Sequence, residues 1–160
     1  MAGWARTLRF AVTSGAVASV TSTVALALLA RAEGQGVLQP VNSTSHWMNG
    51  EQAASFRGAD LVHTAVGYAT HHAATVFWAV LFERWVDARH PTGALALVPD
   101  ALAVSALAAA VDYGATPKRF TPGWEFVLSK RSMAVAYLAM AFGLAAGASM
   151  NRHARWNGTR

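Results

Sequence analysis

Charge is missing from three long stretches of this chain, and that limits what it can fold into more than any motif does. Phe10 to Ala30, Leu61 to Phe82 and Ser132 to Asn151 contain no Asp, Glu, Lys or Arg. Each approaches the roughly 20 apolar residues that cross about 30 Å of hydrocarbon. A fourth stretch, Ala94 to Val111, is interrupted only by Asp100. In 160 residues, little remains beyond connecting loop. The expectation is a single-domain, all-α, four-helix transmembrane bundle, with helices over about 7–31, 59–86, 94–113 and 130–152.

Composition agrees. Charged residues make up 13% of the chain, about half the share usual in a soluble domain. Hydrophobic residues reach 54%, yet mean hydropathy is only +0.28, because the apolar stretches are rich in Ala, Gly, Ser, Thr and His. A soluble bundle would need a polar face on every helix. Neither Leu26-Ala27-Leu28-Leu29 nor the run from Ala136 to Ala148 supplies one.

The net charge of +5 does not point to nucleic acid. Lys and Arg cluster at the ends of the apolar stretches, where lipid headgroups hold them, and no basic stripe is interleaved with aromatics. The absence of Cys excludes disulfides, thiolate metal sites and thiol nucleophiles, and leaves the compartment open.

Arg6 and Arg9 precede an apolar run ending in Ala30-Arg31-Ala32, the small-x-small form of a signal-peptidase site. The run exceeds the 7–15 apolar residues of a signal peptide, so it reads as an uncleaved first span. Four crossings place both termini on one side. Arg6, Arg9, Arg84, Arg89, Arg152, Arg155 and Arg160 then oppose Arg31, Arg57, Lys118, Arg119, Lys130 and Arg131. The balance is nearly even, and Arg6 and Arg9 ahead of the first helix assign the termini to the cytoplasm. Trp4, Trp47, Trp85, Trp124 and Trp156 fall near helix ends, as an aromatic belt would.

Ala139, Gly143 and Gly147 form a small-residue ridge on the last helix, and Ser14, Ala18 and Ser22 line one side of the first. Such ridges let helix backbones approach closely in lipid. Packing within the bundle is the favoured use and a homodimer interface the alternative. No internal repeat supports an inverted-repeat transporter core.

The second predicted helix carries His63, His71 and His72. Buried histidines are costly in a membrane unless they face protein, water or a cofactor. His63 and His71 are separated by about 12 Å along a helix and do not close on one metal ion. The i, i+4 pair of HExxH is missing, and the other predicted spans contain no His. No metal or cofactor is therefore expected. A metal- or haem-binding enzyme centred on His46 and His63 is the least favoured reading.

The link from Val86 to Gly93 is short and contains His90-Pro91, a turn signal, so the second and third helices read as antiparallel neighbours. That register sets His63 level with Asp112 and His72 level with Asp100. A buried Asp beside a His is tolerable where an unpaired one is not. His63, His71, His72, Asp100 and Asp112 thus form a candidate polar seam, structural first and a proton relay second. Pro99 lets the third helix start afresh, with Asp100 as its cap.

The two longer links, Glu33 to Arg57 and Gly114 to Ser129, lie together on the other face. Asn42-Ser43-Thr44 reads as a cap for a short helix entering His46-Trp47, and Thr121-Pro122-Gly123-Trp124-Glu125 as a second helix start. Capping does not explain why so many polar side chains gather here. His46, Glu51, Lys118, Arg119 and Glu125 are a candidate loop site. Lys118 and Arg119 also suit lipid phosphate at the surface.

Three segments carry a family likeness: Asn42-x-Thr44-Ser45-His46-Trp47, the stretch Gly67 to Glu83, and Asp112-Tyr113 followed by Arg119-x-Thr121-Pro122-Gly123-x-Glu125. In these, the chain resembles a group of small uncharacterised proteobacterial integral membrane proteins, over most of its length from Pro40 onward. The resemblance implies a bacterial inner-membrane location. It brings no assigned activity and no catalytic residues. The expected partner is the lipid bilayer. The leading functional reading is a non-enzymatic multi-span membrane protein, and the alternative is a small transporter or proton-coupled protein using the polar seam. No nucleophile–base pair, phosphate loop or nucleotide fingerprint supports hydrolase or ATPase chemistry.

Overall fold

The computed structural model describes residues 2–151, and Arg152, Arg155, Trp156 and Arg160 lie outside them. The described residues are helical throughout, with no strand. The helices are α1 (Ala2–Ala32), α2 (Gln39–Ser43), α3 (His46–Asn49), α4 (Val66–Arg89), α5 (Val98–Gly114) and α6 (Lys130–Met150). A wide π turn, Leu61–Ala65, leads into α4, and a 3₁₀ turn, Leu95–Leu97, leads into α5. The four expected long helices are present, but α1 starts earlier than expected, at Ala2, and α4 later, at Val66 behind the π turn.

Three helical stretches are long and apolar enough to cross a membrane: Gly3–Ala32, Leu95–Gly114 and Lys130–Met150. Helix α4 is long enough but not among them. Its first two-thirds is diluted by Thr70, His71, His72 and Thr75, and its last turns carry Glu83, Arg84, Asp87 and Arg89.

Helix α1 packs chiefly against α6 and α4, and α5 against α6. The small-residue ridge explains the first contact. Gly143 lies against Ala18 and Thr21, and Gly147 against Ser14, so closely that a Cβ at either would meet the backbone of α1. The ridge of α6 is thus occupied within the chain. The hydroxyl of Thr21 also donates to the Ala139 carbonyl oxygen across this contact, at 3.0 Å. On the other side of α1, Gly15 faces the backbone of Val76 in α4.

Helix α1 turns a mostly small and polar stripe inward, with Phe10 and Leu26 buried toward its ends, and most of its aliphatic side chains outward. Thr7, Ala11, Ser14, Ala18, Ser19 and Ser22 are buried, whereas Leu8, Val12, Val20, Val24 and Leu28 are exposed. This inverts the pattern of a helix in a water-soluble protein.

The chain's two ends of structure differ. At the end with the α4–α5 link, His90 takes a left-handed conformation (φ 49°) that stops α4 ahead of Pro91. At the opposite end, residues 33–65 and 115–129 fold into a cap over the helix ends. Gly67 lets the Val41 carbonyl oxygen approach α4, and Gly123 (φ 80°) lets Ser43 and His46 approach the second loop. Side chains then lock the cap. Asn42 donates to the carbonyl oxygens of Phe56 and Gly58 and accepts from Thr64, and Trp124 donates to Thr44.

Candidate functional site

The register expected between the second and third long helices is not the one adopted. Asp100 accepts from the indole of Trp85 at 3.1 Å and pairs with Arg89 at 3.0 Å. Asp112 accepts from the Tyr137 hydroxyl at 2.7 Å. His63 turns to Asp60, whose carboxylate is 2.8 Å from Nδ1 and also caps the π turn through the His63 and Thr64 N–H groups. His72 leans on Tyr68, and its buried Nδ1 has no partner among the described residues. Neither expected His–Asp pair forms. Helices α4 and α5 touch where Trp85 and Arg89 reach Asp100, and a cavity separates them further along.

The polar seam lies instead between α4 and α1. Thr7 reaches Asp87, Ser14 donates to Glu83, and Ser22 meets His71 Nε2 at 2.9 Å. These pairs follow one another in antiparallel order along the two helices. Glu83 is fully buried, and Asn151 at the end of α6 also donates to it. Of the expected seam residues, only His71 belongs to this line. Glu83 escaped notice because it sits just past an uncharged stretch and reads as a boundary residue.

Four of the five loop-site residues do come together. His46, Glu51, Lys118 and Arg119 line a depression of about 410 Å³ within the cap. His46 serves as a clasp there: Nδ1 is 2.9 Å from the Ser43 carbonyl oxygen and Nε2 is 3.1 Å from that of Lys118. Arg119 donates to the Trp47 carbonyl oxygen. Glu125 stands apart, accepting from the Thr121 hydroxyl.

Two carboxylates at the cap are more acidic than usual. Hydrogen bonds from the Ser129 and Ser132 hydroxyls and the Ser129 N–H hold Glu33 below the ordinary range. The His63 ring does the same for Asp60, helped by the His63 and Thr64 N–H groups. Both are structural caps of helix starts.

A cavity of about 270 Å³ opens between α4, α5 and α6, under the second loop. His71, Ala74, Thr75 and Trp78 line it from α4, Asp112 from α5, and Tyr137 and Met140 from α6. Trp47, Phe120 and Trp124 close it from the cap. Trp124 stacks edge-on to His71 and tilts against Tyr137, with ring centroids 5.6 and 5.4 Å away. This combination of a mostly apolar wall and a few convergent polar groups is the usual form of a small-molecule site. Thr70, His71, Ala74 and Trp78 share one face of the helix in sequence, but their convergence with Thr44 and Thr75 on a cavity appears only once the cap is folded.

No three His, Asp or Glu side chains converge on a metal position among the described residues. The fold and its apolar helices define a helical membrane protein. Comparison of the chain with family models, with curated proteins and with solved structures gives no match.

Proposed function

We propose that the chain is a four-helix transmembrane bundle that binds a small, mostly apolar molecule in the cavity between α4, α5 and α6. The bundle reading is supported by the outward aliphatic stripe of α1 and by exposed Leu102, Leu107, Leu138 and Phe142 on α5 and α6. Such surface is costly in water and at home in lipid. Helix α4 completes the bundle as the fourth crossing, with His71, Glu83 and Asp87 turned to α1. Arg6 and Arg9 favour cytoplasmic termini, and the resemblance to small proteobacterial membrane proteins favours the bacterial inner membrane. The role is binding rather than catalysis.

The observation that carries the binding reading is the cavity itself, with Trp47, Trp78 and Trp124 around a pole formed by His71, Asp112 and Tyr137. Ala74 lines it, so Ala74→Phe should fill it. Small aryl compounds that bind should raise the thermal midpoint of the detergent-purified protein, because ligands of the native state stabilise it. Ala74→Phe should abolish that rise without lowering the midpoint of the free protein. Binding that is indifferent to Ala74→Phe would count against this site.

A second reading, proton-coupled transport, is favoured by the buried line Asp87, Glu83, Ser14, Ser22 and His71, which leads from one end of the helices to the cavity. Its test is acidification of protein-loaded vesicles under a pH gradient. A leak no faster in wild type than in Glu83→Gln would dismiss it.

A further inference from the structure

We propose that the ligand of this cavity is a small organic cation with an apolar body, of the alkyl- or arylammonium class; this rests on the cavity being a binding site. The lining contains a carboxylate, Asp112, and neither Lys nor Arg. One Asp112 oxygen accepts from Tyr137, and the other takes no hydrogen bond among the described residues. A second carboxylate, Glu125, lies near the first, and Tyr113 packs edge-on against Tyr137 with ring centroids 6.4 Å apart. The polar pole is therefore acidic.

The donors of the lining are already spent. Trp47 donates to Thr70 at 3.1 Å and Trp124 to Thr44 at 3.2 Å. The Thr44, Thr70 and Thr75 hydroxyls donate to the carbonyl oxygens of Pro40, Val66 and His72, and that of Thr121 to Glu125. His71 is held on its α1 side by Ser22. An anion or a strong acceptor entering here finds few free N–H or O–H groups. A cation finds a carboxylate and aromatic rings, which attract positive charge through their negative faces. The indole bonds of Trp47 and Trp124 fix ring orientation in advance, which lowers the ordering cost of binding.

The test uses the full chain in a neutral maltoside detergent, with benzyltrimethylammonium and its uncharged carbon isostere neopentylbenzene as probes. Tryptophan fluorescence reports binding at fixed detergent concentration. The expected result is saturable binding of the cation, at least tenfold tighter than the isostere. Asp112→Asn, which keeps an acceptor for Tyr137, should weaken the cation about tenfold and shift the isostere less than twofold. Equal affinity for the two probes would overturn the cation inference and leave the cavity as a site for neutral apolar molecules. Cation binding undiminished in a folded Asp112→Asn protein would overturn it as well. Binding of neither probe would remove both readings. The wild-type comparison decides alone if Asp112→Asn does not fold.

Discussion

The Ser14 hydroxyl donates to the Glu83 carboxylate where α1 and α4 meet the end of α6, and neither side chain reaches solvent. Removing the donor leaves a buried acceptor less well satisfied, which costs about 1–3 kcal/mol. Ser14→Ala should lower the thermal midpoint in detergent accordingly. Ser19 is the internal control. It is buried on the same helix, but its hydroxyl has no partner among the described residues, so Ser19→Ala should be neutral or mildly stabilising. Equal losses from the two substitutions would mean that the Ser14–Glu83 bond contributes nothing specific.

Gly143 and Gly147 set how closely α6 approaches α1. Gly143→Leu or Gly147→Leu should destabilise by at least the roughly 1–3 kcal/mol typical of overpacking, read as a lower midpoint or lost yield. Gly114, with nothing within 4 Å of its added Cβ, should accept Ala with little change. Size-exclusion chromatography on folded Gly143→Leu distinguishes the intrachain contact from a dimer ridge: a changed oligomer at unchanged stability would contradict the packing described above.

Acid should loosen the start of α6. Glu33 is more acidic in the folded chain than in the unfolded one, where an ordinary Glu titrates near about 4.3. Its contribution is therefore complete above that value and disappears as pH falls through the lower folded value. Thermal midpoints measured from pH 6 downward should drop more steeply in wild type than in Glu33→Gln. Parallel curves would show that the carboxylate contributes nothing to the pH dependence. Asp60 has the same sign through His63, and Asp60→Asn should flatten the same acid limb.

Chelation should leave the protein unchanged. The His63 ring is bound to Asp60, His71 to Ser22, and both His46 nitrogens face carbonyl oxygens. EDTA should not move the thermal midpoint, and visible absorption should show no Soret band. A stoichiometric metal lost together with stability would restore the metal-enzyme reading centred on His46 and His63.

The long helices were legible because their signal is local: an uncharged run of spanning length specifies a helix whatever it packs against. The close approach of α6 to α1 was legible in part, since Gly143 and Gly147 on one side and Ser14 and Ala18 on the other can only serve proximity. Pairing between helices was not. The short link suggested that α4 and α5 run side by side, yet a link constrains only the end it joins, and beyond Trp85, Arg89 and Asp100 the two helices are held apart by the cavity. The register of α1 against α4 is set across the long segment 33–65, whose turns Gly67 and Asn42 lock only in three dimensions. The candidate site was half visible for the same reason: His71 and Asp112 stood out as polar groups in apolar runs and Trp78 shares a helix face with His71, whereas Thr75 and the cap residues over the cavity gave no local signal.

The principal partner of α1 is α6, the last long helix of the chain. Synthesis runs in the opposite sense to that need. Ser14 and Ser22 can meet Glu83 and His71 once α4 is made, but the face of α1 at Ala18 and Thr21 must wait until more than a hundred further residues have been added. A chain halted before Lys130 therefore presents the insertion machinery with the α6-facing side of α1 uncovered. The quality-control proteases of the membrane should clear such a fragment faster than the whole protein.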